Sequence, residues 1–135
     1  MTLCRADLEA MLEEGKPLRL NGQDLRGADL SGMDLARADL SYARLEGASF
    51  KHAALAGAIL WATTAAKADF TGADLSDANL GTADLSNARL DAAVLRRASL
   101  LGATLTGATL TGADLNGADM TGATDERGLP WSKFN

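Results

Sequence analysis

The chain has 135 residues, one cysteine and a net charge of −5, and it is 47% apolar but only 4% aromatic. That length fits one domain. The mild acidity favours solubility and argues against direct nucleic-acid binding, and a lone Cys4 excludes an intrachain disulfide.

Residues 1–17 read as a short helix and its stop. Leu8, Met11 and Leu12 have helical spacing, and Gly15 followed by Pro17 ends it, which predicts a helix from about Arg5 to Glu14. Met1 to Ala10 lacks the basic start and long apolar run of a signal peptide, and no segment reaches membrane-spanning length. The expected location is cytoplasmic, with no membrane partner.

From Leu18 one period takes over. Every fifth residue from Leu20 to Met120 is large and apolar except Ala65; 17 of these 21 positions are Leu, and Phe50 and Phe70 are aromatic. Two residues before each lies a second register, Ala in 17 of 21 cases, with Leu18, Gln23, Met33 and Thr63 as exceptions. Two residues after the large one, Gly occurs 11 times. A helix would smear a five-residue period around all its sides, and a continuous strand would flip each successive Leu to the opposite face. The pattern buries itself only if the chain turns a corner once per repeat, with glycine at corners that need positive φ. Four corners close a square coil of twenty residues. Residues 18–122 then give about five coils, roughly 25 Å tall at a spacing near 4.8 Å.

The units Ala28-Asp29-Leu30, Ala38-Asp39-Leu40, Ala73-Asp74-Leu75, Ala78-Asn79-Leu80, Ala83-Asp84-Leu85 and Ala113-Asp114-Leu115 resemble the pentapeptide-repeat family. The resemblance implies an all-β solenoid. Its form would be a right-handed quadrilateral parallel β-helix, here with a short N-terminal capping helix. Ala6-Asp7-Leu8 looks like a further unit but is out of frame. The expected organisation is a capping helix over 1–17, the β-helix over 18–122 and a capping tail over 123–135.

Stacking puts residues twenty apart in one column. Phe50 and Phe70 share a column and should stack, with small Ala65 beside them making room. Gln23 is a candidate buried polar group in need of a partner. Leu8, Met11 and Leu12 should cover the top of the coil. At the other end Asp125 takes the next inward position, so the inner register is expected to stop there. Leu129, Trp131 and Phe134 should then fold under Leu115 and Met120.

No catalytic constellation is visible. His52, the only histidine, falls at an outward corner, and neither it nor Cys4 has a metal-ligand partner at useful spacing. We therefore expect no enzyme, cofactor or metal. Asp precedes the inward residue at positions 24, 29, 34, 39, 69, 74, 84, 114 and 119, where short carboxylates hydrogen-bond turn backbone. The resemblance also implies a second role. Some family members regulate or protect bacterial type II topoisomerases by imitating DNA with surface carboxylates. Here residues 18–122 carry 12 acidic and 9 basic residues, and Arg26, Arg37, Arg44, Arg89, Arg96 and Arg97 interrupt the acidic columns.

The outward positions offer one further lead. Tyr42, Ile59, Trp61 and Leu101 gather on the face whose inward residues are Leu20, Leu40, Leu60, Leu80 and Leu100. A grouped apolar patch marks a contact site, for another protein or a second copy of this chain. The rival reading is that Trp61 lies over Gly81 and shields the sheet. A scaffold or protein-interaction module is the leading functional expectation.

Overall fold

The computed structural model describes residues 3–15 and 17–132. The twenty-residue register is written directly in its backbone. Parallel bridges join each residue before an inward Leu to the residue twenty further on, from Arg19↔Asp39 to Ser99↔Asp119. Four ladders result, one per face, named here by their first inward residues: the Leu20, Leu25, Leu30 and Leu35 faces.

One repeat shows how the backbone satisfies itself. Ala38 N–H closes the preceding turn on Leu35 C=O at 3.0 Å, and Asp39 N–H donates to Leu18 C=O in the coil above at 2.8 Å. Leu40 and Tyr42 donate to Ile59 and Trp61 carbonyls in the coil below, at 2.7 and 2.9 Å. The fifth donor, Ser41 N–H, takes no part in this backbone scheme. It goes to Asp39 Oδ1 at 3.0 Å. The repeat therefore leaves one backbone donor for a side-chain acceptor.

The corners hold a second regularity. At all 21 repeats from Gly22 to Gly122, the second residue after the inward one has φ between 55° and 74°, as the third residue of a type II turn does. Glycine suits 11 of these. The other ten, all between Arg37 and Arg97, are Arg37, Tyr42, His52, Ala62, Lys67, Asp77, Thr82, Asn87, Ala92 and Arg97. Glycine marks corners in the sequence but is not required at each one.

Inside, the Ala and Leu registers are buried along the column. Phe50 and Phe70 stack with centroids 4.9 Å apart and planes inclined by 3°. Ala65 is fully buried in the same core. Thr63 is also buried, and its hydroxyl donates to Leu60 C=O at 3.1 Å, so no orphan polar group results. Gln23 departs from expectation. It is only half-buried, because the first coil lacks a layer above it.

The helix α1 (Arg5–Leu12) is two residues shorter than the pattern suggested. Cys4 N–H at its start donates to the Asp7 carboxylate at 2.9 Å, and Gly15 after it has φ 74°. The out-of-frame Ala6-Asp7-Leu8 lies inside this helix. Leu8 is fully buried in the core cluster, with Leu3, Met11 and Leu12 packed against it. The Arg5 guanidinium donates to the carbonyls of Ser31 at 2.8 Å and Asp29 at 3.3 Å. Those carbonyls occupy positions that, one coil lower, accept bonds from the coil above; Arg5 stands in for that missing layer.

The C-terminal end corrects the sequence reading. The repeat geometry does not stop at residue 122. Ala123 and Asp125 are both buried, and Thr124 N–H donates to Ala103 C=O at 3.0 Å, as in any other repeat. Asp125 holds the inward place with its charge intact. Its carboxylate accepts from Arg127 N–H at 2.9 Å, Leu129 N–H at 3.0 Å and the Arg127 guanidinium at 2.7 Å. Burial opposes ionisation, yet these bonds hold its carboxyl below the ordinary range. The chain then reverses, and Thr124 pairs antiparallel with Pro130.

Among the described residues, coverage of this end is partial. Trp131 is half-buried against the core, and its N–H donates to Ala123 C=O at 2.8 Å. Leu129, expected to cover the coil, is instead 49% exposed, because its backbone is committed to Asp125. Leu115 and Met120 stay half-exposed. Phe134, the third expected capping residue, lies outside the described residues.

Candidate interaction surface

Tyr42, Trp61, Gly81 and Leu101 are strung along one corner of the Leu20 face by the ladder itself. Tyr42 N–H donates to Trp61 C=O at 2.9 Å, Ala62 N–H to Gly81 C=O at 2.9 Å, and Thr82 N–H to Leu101 C=O at 2.7 Å. Ile59 lies on the same face, bridged between Asp39 and Asn79. Register alone brings these four apolar side chains to one side of the column.

Their exposures divide them. Tyr42 is 66% exposed, Leu101 41% and Ile59 39%, while Trp61 is half-buried. Trp61 packs on Gly81: a β-carbon there would lie 2.3 Å from Trp61 Cζ3 and 2.4 Å from Cε3. Gly81 is itself buried and does not take positive φ, so the absence of a side chain serves the indole and not the turn. This platform has one sequence sign: Gly81 is displaced by one position from the corner glycines.

Polar acceptors border the patch. Asp39 Oδ1 accepts from Ser41 N–H and also from the Ser41 hydroxyl, and Asn79 Oδ1 accepts from Gly81 N–H at 2.9 Å. The Ser41 hydroxyl, with the Ser41 N–H and the Arg19 charge, holds the Asp39 carboxyl below its ordinary value. Ile59 occupies the equivalent position between them and carries no acceptor, so apolar surface replaces an acidic step in this ladder.

The carboxylates elsewhere follow the same rule as Asp39. All nine Asp residues picked out in the sequence accept a bond from the backbone N–H two residues on, at 2.9–3.2 Å. Several also meet cations: Asp24 binds Arg26, Asp69 faces Lys51 at 3.5 Å, and Asp114 binds Arg96. The acidic columns are largely committed to their own turns and neighbouring arginines.

No cluster of His, Cys, Asp and Glu able to hold a metal occurs among the described residues. Cys4 is exposed at the start of α1, and His52 is exposed at a corner with its imidazole against Gly72. An open groove of about 680 Å³ lies between α1 and the first coil, lined by residues such as Met11, Pro17, Leu18 and Arg37. No helix among the described residues is long and apolar enough to cross a membrane.

A fold of this kind defines a repeat solenoid with one flat face per repeat. The chain belongs to the pentapeptide repeat family: the family model for pentapeptide repeats matches residues 19–51, 48–87 and 83–122. It has the right-handed quadrilateral β-helix of that family. Among solved structures it is similar to the pentapeptide repeat protein Rfr23 from the cyanobacterium Cyanothece 51142, at 28% identity and TM-score 0.69, covering 94% of this chain and 98% of that one. It is also similar to AT2G44920, a pentapeptide repeat protein of the Arabidopsis thaliana thylakoid lumen, at 40% identity and TM-score 0.43, over 85% of this chain and 72% of that one. QnrB1, a plasmid-mediated fluoroquinolone resistance protein, shares the fold at 22% identity and TM-score 0.50, over 78% of this chain and 64% of that one. No curated protein matches this chain.

Proposed function

We propose that this protein is a non-enzymatic interaction module that binds a partner protein through the apolar corner of the Leu20 face. One observation carries the reading. Of the four large apolar side chains that stand exposed among the described residues, Tyr42, Ile59 and Leu101 lie on this one face. Trp61, seated on Gly81, supplies a rigid aromatic floor between them. Aromatic and aliphatic residues grouped within a polar border are the usual centre of a protein contact. The border also carries the negative charge of Asp39, which suits an apolar partner surface with a basic edge.

The rest of the chain serves this face in the proposal. About five coils over 18–122 form a rigid column. Leu8, Met11 and Leu12 close its top, and Leu129 and Trp131 belong to its lower end. A cytoplasmic location remains part of the proposal, although the Arabidopsis relative is a thylakoid-lumen protein.

Tyr42→Ser combined with Leu101→Ser tests the reading, since neither residue belongs to the buried core. Affinity capture from the native host, with mass measured in solution, should show a partner bound by the wild type and lost by the double variant. A concentration-dependent doubling of mass abolished by the same changes would assign the face to a second copy. Unchanged association in both measurements would sink the proposal. The DNA-mimic reading is less well supported, because the nine carboxylates are held by turn backbone and interleaved with arginines. A gyrase supercoiling assay with purified protein separates the two: potent inhibition or drug protection would displace the interaction-module reading.

A further inference from the structure

We propose that Asn116 is a site of spontaneous deamidation in the folded protein, while the chemically equivalent Asn21 is protected by the coil beneath it. Asn21-Gly22 and Asn116-Gly117 are the two Asn-Gly pairs of the chain. Both asparagines and both glycines are exposed, and both pairs form corners with the glycine at positive φ, 71° and 74°. Sequence alone would give them the same reactivity, because glycine after asparagine leaves the backbone nitrogen unhindered.

The reaction needs that nitrogen. Gly N attacks the Asn side-chain carbonyl carbon and closes a five-membered succinimide. The C–N bond to the amide nitrogen breaks, and ammonia leaves with the proton from the backbone N–H. Water then opens the ring to aspartate or isoaspartate. No oxidant, metal or enzyme is required. A backbone N–H held in a sheet ladder must first give up its acceptor and rotate out of line.

The two sites differ at this atom. Gly22 N–H donates to Ser41 C=O in the coil below at 2.8 Å. Gly117 lies in the last coil among the described residues, and its N–H has no acceptor among them. The Asn116 corner is still restrained on its upper side. Ala118 N–H closes the turn on Leu115 C=O at 3.0 Å, Arg97 N–H donates to Asn116 C=O at 2.9 Å, and Asn116 N–H donates to Asp114 at 3.1 Å. None of these bonds uses the attacking nitrogen. Among the described residues, no layer below engages the one group the chemistry depends on.

The product has a structural consequence. Isoaspartate adds a methylene to the main chain at residue 116, and the inward register of Ala118 and Met120 would no longer match the coil above. Either product also places a carboxylate two residues from Asp114.

Trypsin separates the sites: cleavage after Arg19 and Arg26 releases Asn21, and cleavage after Arg97 and Arg127 releases Asn116 with no other asparagine. Folded full-length protein is aged at mildly alkaline pH, digested briefly with trypsin in mild denaturant at near-neutral pH and followed by mass spectrometry with isoaspartyl methyltransferase labelling. Conversion at Asn116 should run several-fold ahead of Asn21. In protein aged in denaturant, the two rates should come together. Equal rates in the folded protein, or faster conversion at Asn21, would overturn the proposal. So would a gap of the same size persisting in denaturant, because local sequence and not the ladder would then be its cause.

Discussion

Thr82→Gly should stabilise this protein, although it removes a side chain from a β-structure. Thr82 has φ 55° and is exposed, and a β-branched residue is poorly suited to that region. Holding an L-residue in left-handed geometry costs about 1–2 kcal/mol. Glycine removes that strain but enlarges the unfolded ensemble, which costs about 0.4–1 kcal/mol. The net gain is then about 0–1.6 kcal/mol, centred near 0.8, or about 3 °C in midpoint for a chain of this size. Thermal and guanidinium melts followed by circular dichroism measure it. The control is Ala83→Gly one residue on, a buried position without positive φ, where the same change should destabilise. Thr82→Asn should fall between wild type and glycine, since asparagine tolerates this conformation better. If Thr82→Gly lowered the midpoint as Ala83→Gly does, left-handed strain would not be what these corners store.

Further outcomes follow from the packing and charges. Phe70→Ala should cost about 3–5 kcal/mol in denaturant melts, because the ring is fully buried and stacked on Phe50; Ala65→Leu should cost about 1–3 kcal/mol by overfilling the same core. Asp29, Asp39 and Asp119 have carboxyls held below their ordinary value by the hydroxyls of Ser31, Ser41 and Thr121 and then by the same residues' N–H groups. A depressed folded value means their contribution is complete above about pH 5 and is lost as pH falls through about 4 towards the folded values. Acid titration of the melting midpoint should show this, and Asp39→Asn with Asp119→Asn, which keeps the acceptors and removes the charges, should flatten the decline. Asp125→Ala should release the reversed tail, read as faster tryptic cleavage at Arg127, while Asp125→Asn should give an intermediate rate because it keeps an acceptor for the Arg127 and Leu129 N–H groups.

The repeat was legible because each Leu and Ala has one place to go. A five-residue period admits no helix and no straight strand, so the corner, the coil of twenty and the Phe50–Phe70 stack could be read before any coordinates. Residues that break the pattern were harder to place. Asp125 looked like the end of the inner register, because a charge at an apolar position normally reports exposure; its satisfaction depends on Arg127 and Leu129, which bend back to it. Leu129 looked like a cap by its hydrophobicity, but its backbone bond to Asp125 turns it outward. Arg5 carried no sign that it would reach the carbonyls of Asp29 and Ser31, more than twenty residues away. Within the candidate surface, shared register brought Tyr42, Trp61 and Leu101 together, and Gly81 was visible as their neighbour. What the pattern could not divide was Trp61, committed to Gly81, from the three side chains left facing outward.

The twenty-residue register also sets what insertions and deletions can do to this molecule. Gain or loss of twenty residues lengthens or shortens the column by one layer and leaves every later residue on its own face. Gain or loss of five keeps an Ala–Leu unit at each inward place, but it turns everything downstream by a quarter revolution, and between Phe50 and Phe70 it would also part the stacked rings. Placed between Trp61 and Leu101, such a change would carry Leu101 around to a neighbouring side while the core kept its composition. Away from the Phe50–Phe70 stack, the interior therefore counts in fives while the surface counts in twenties.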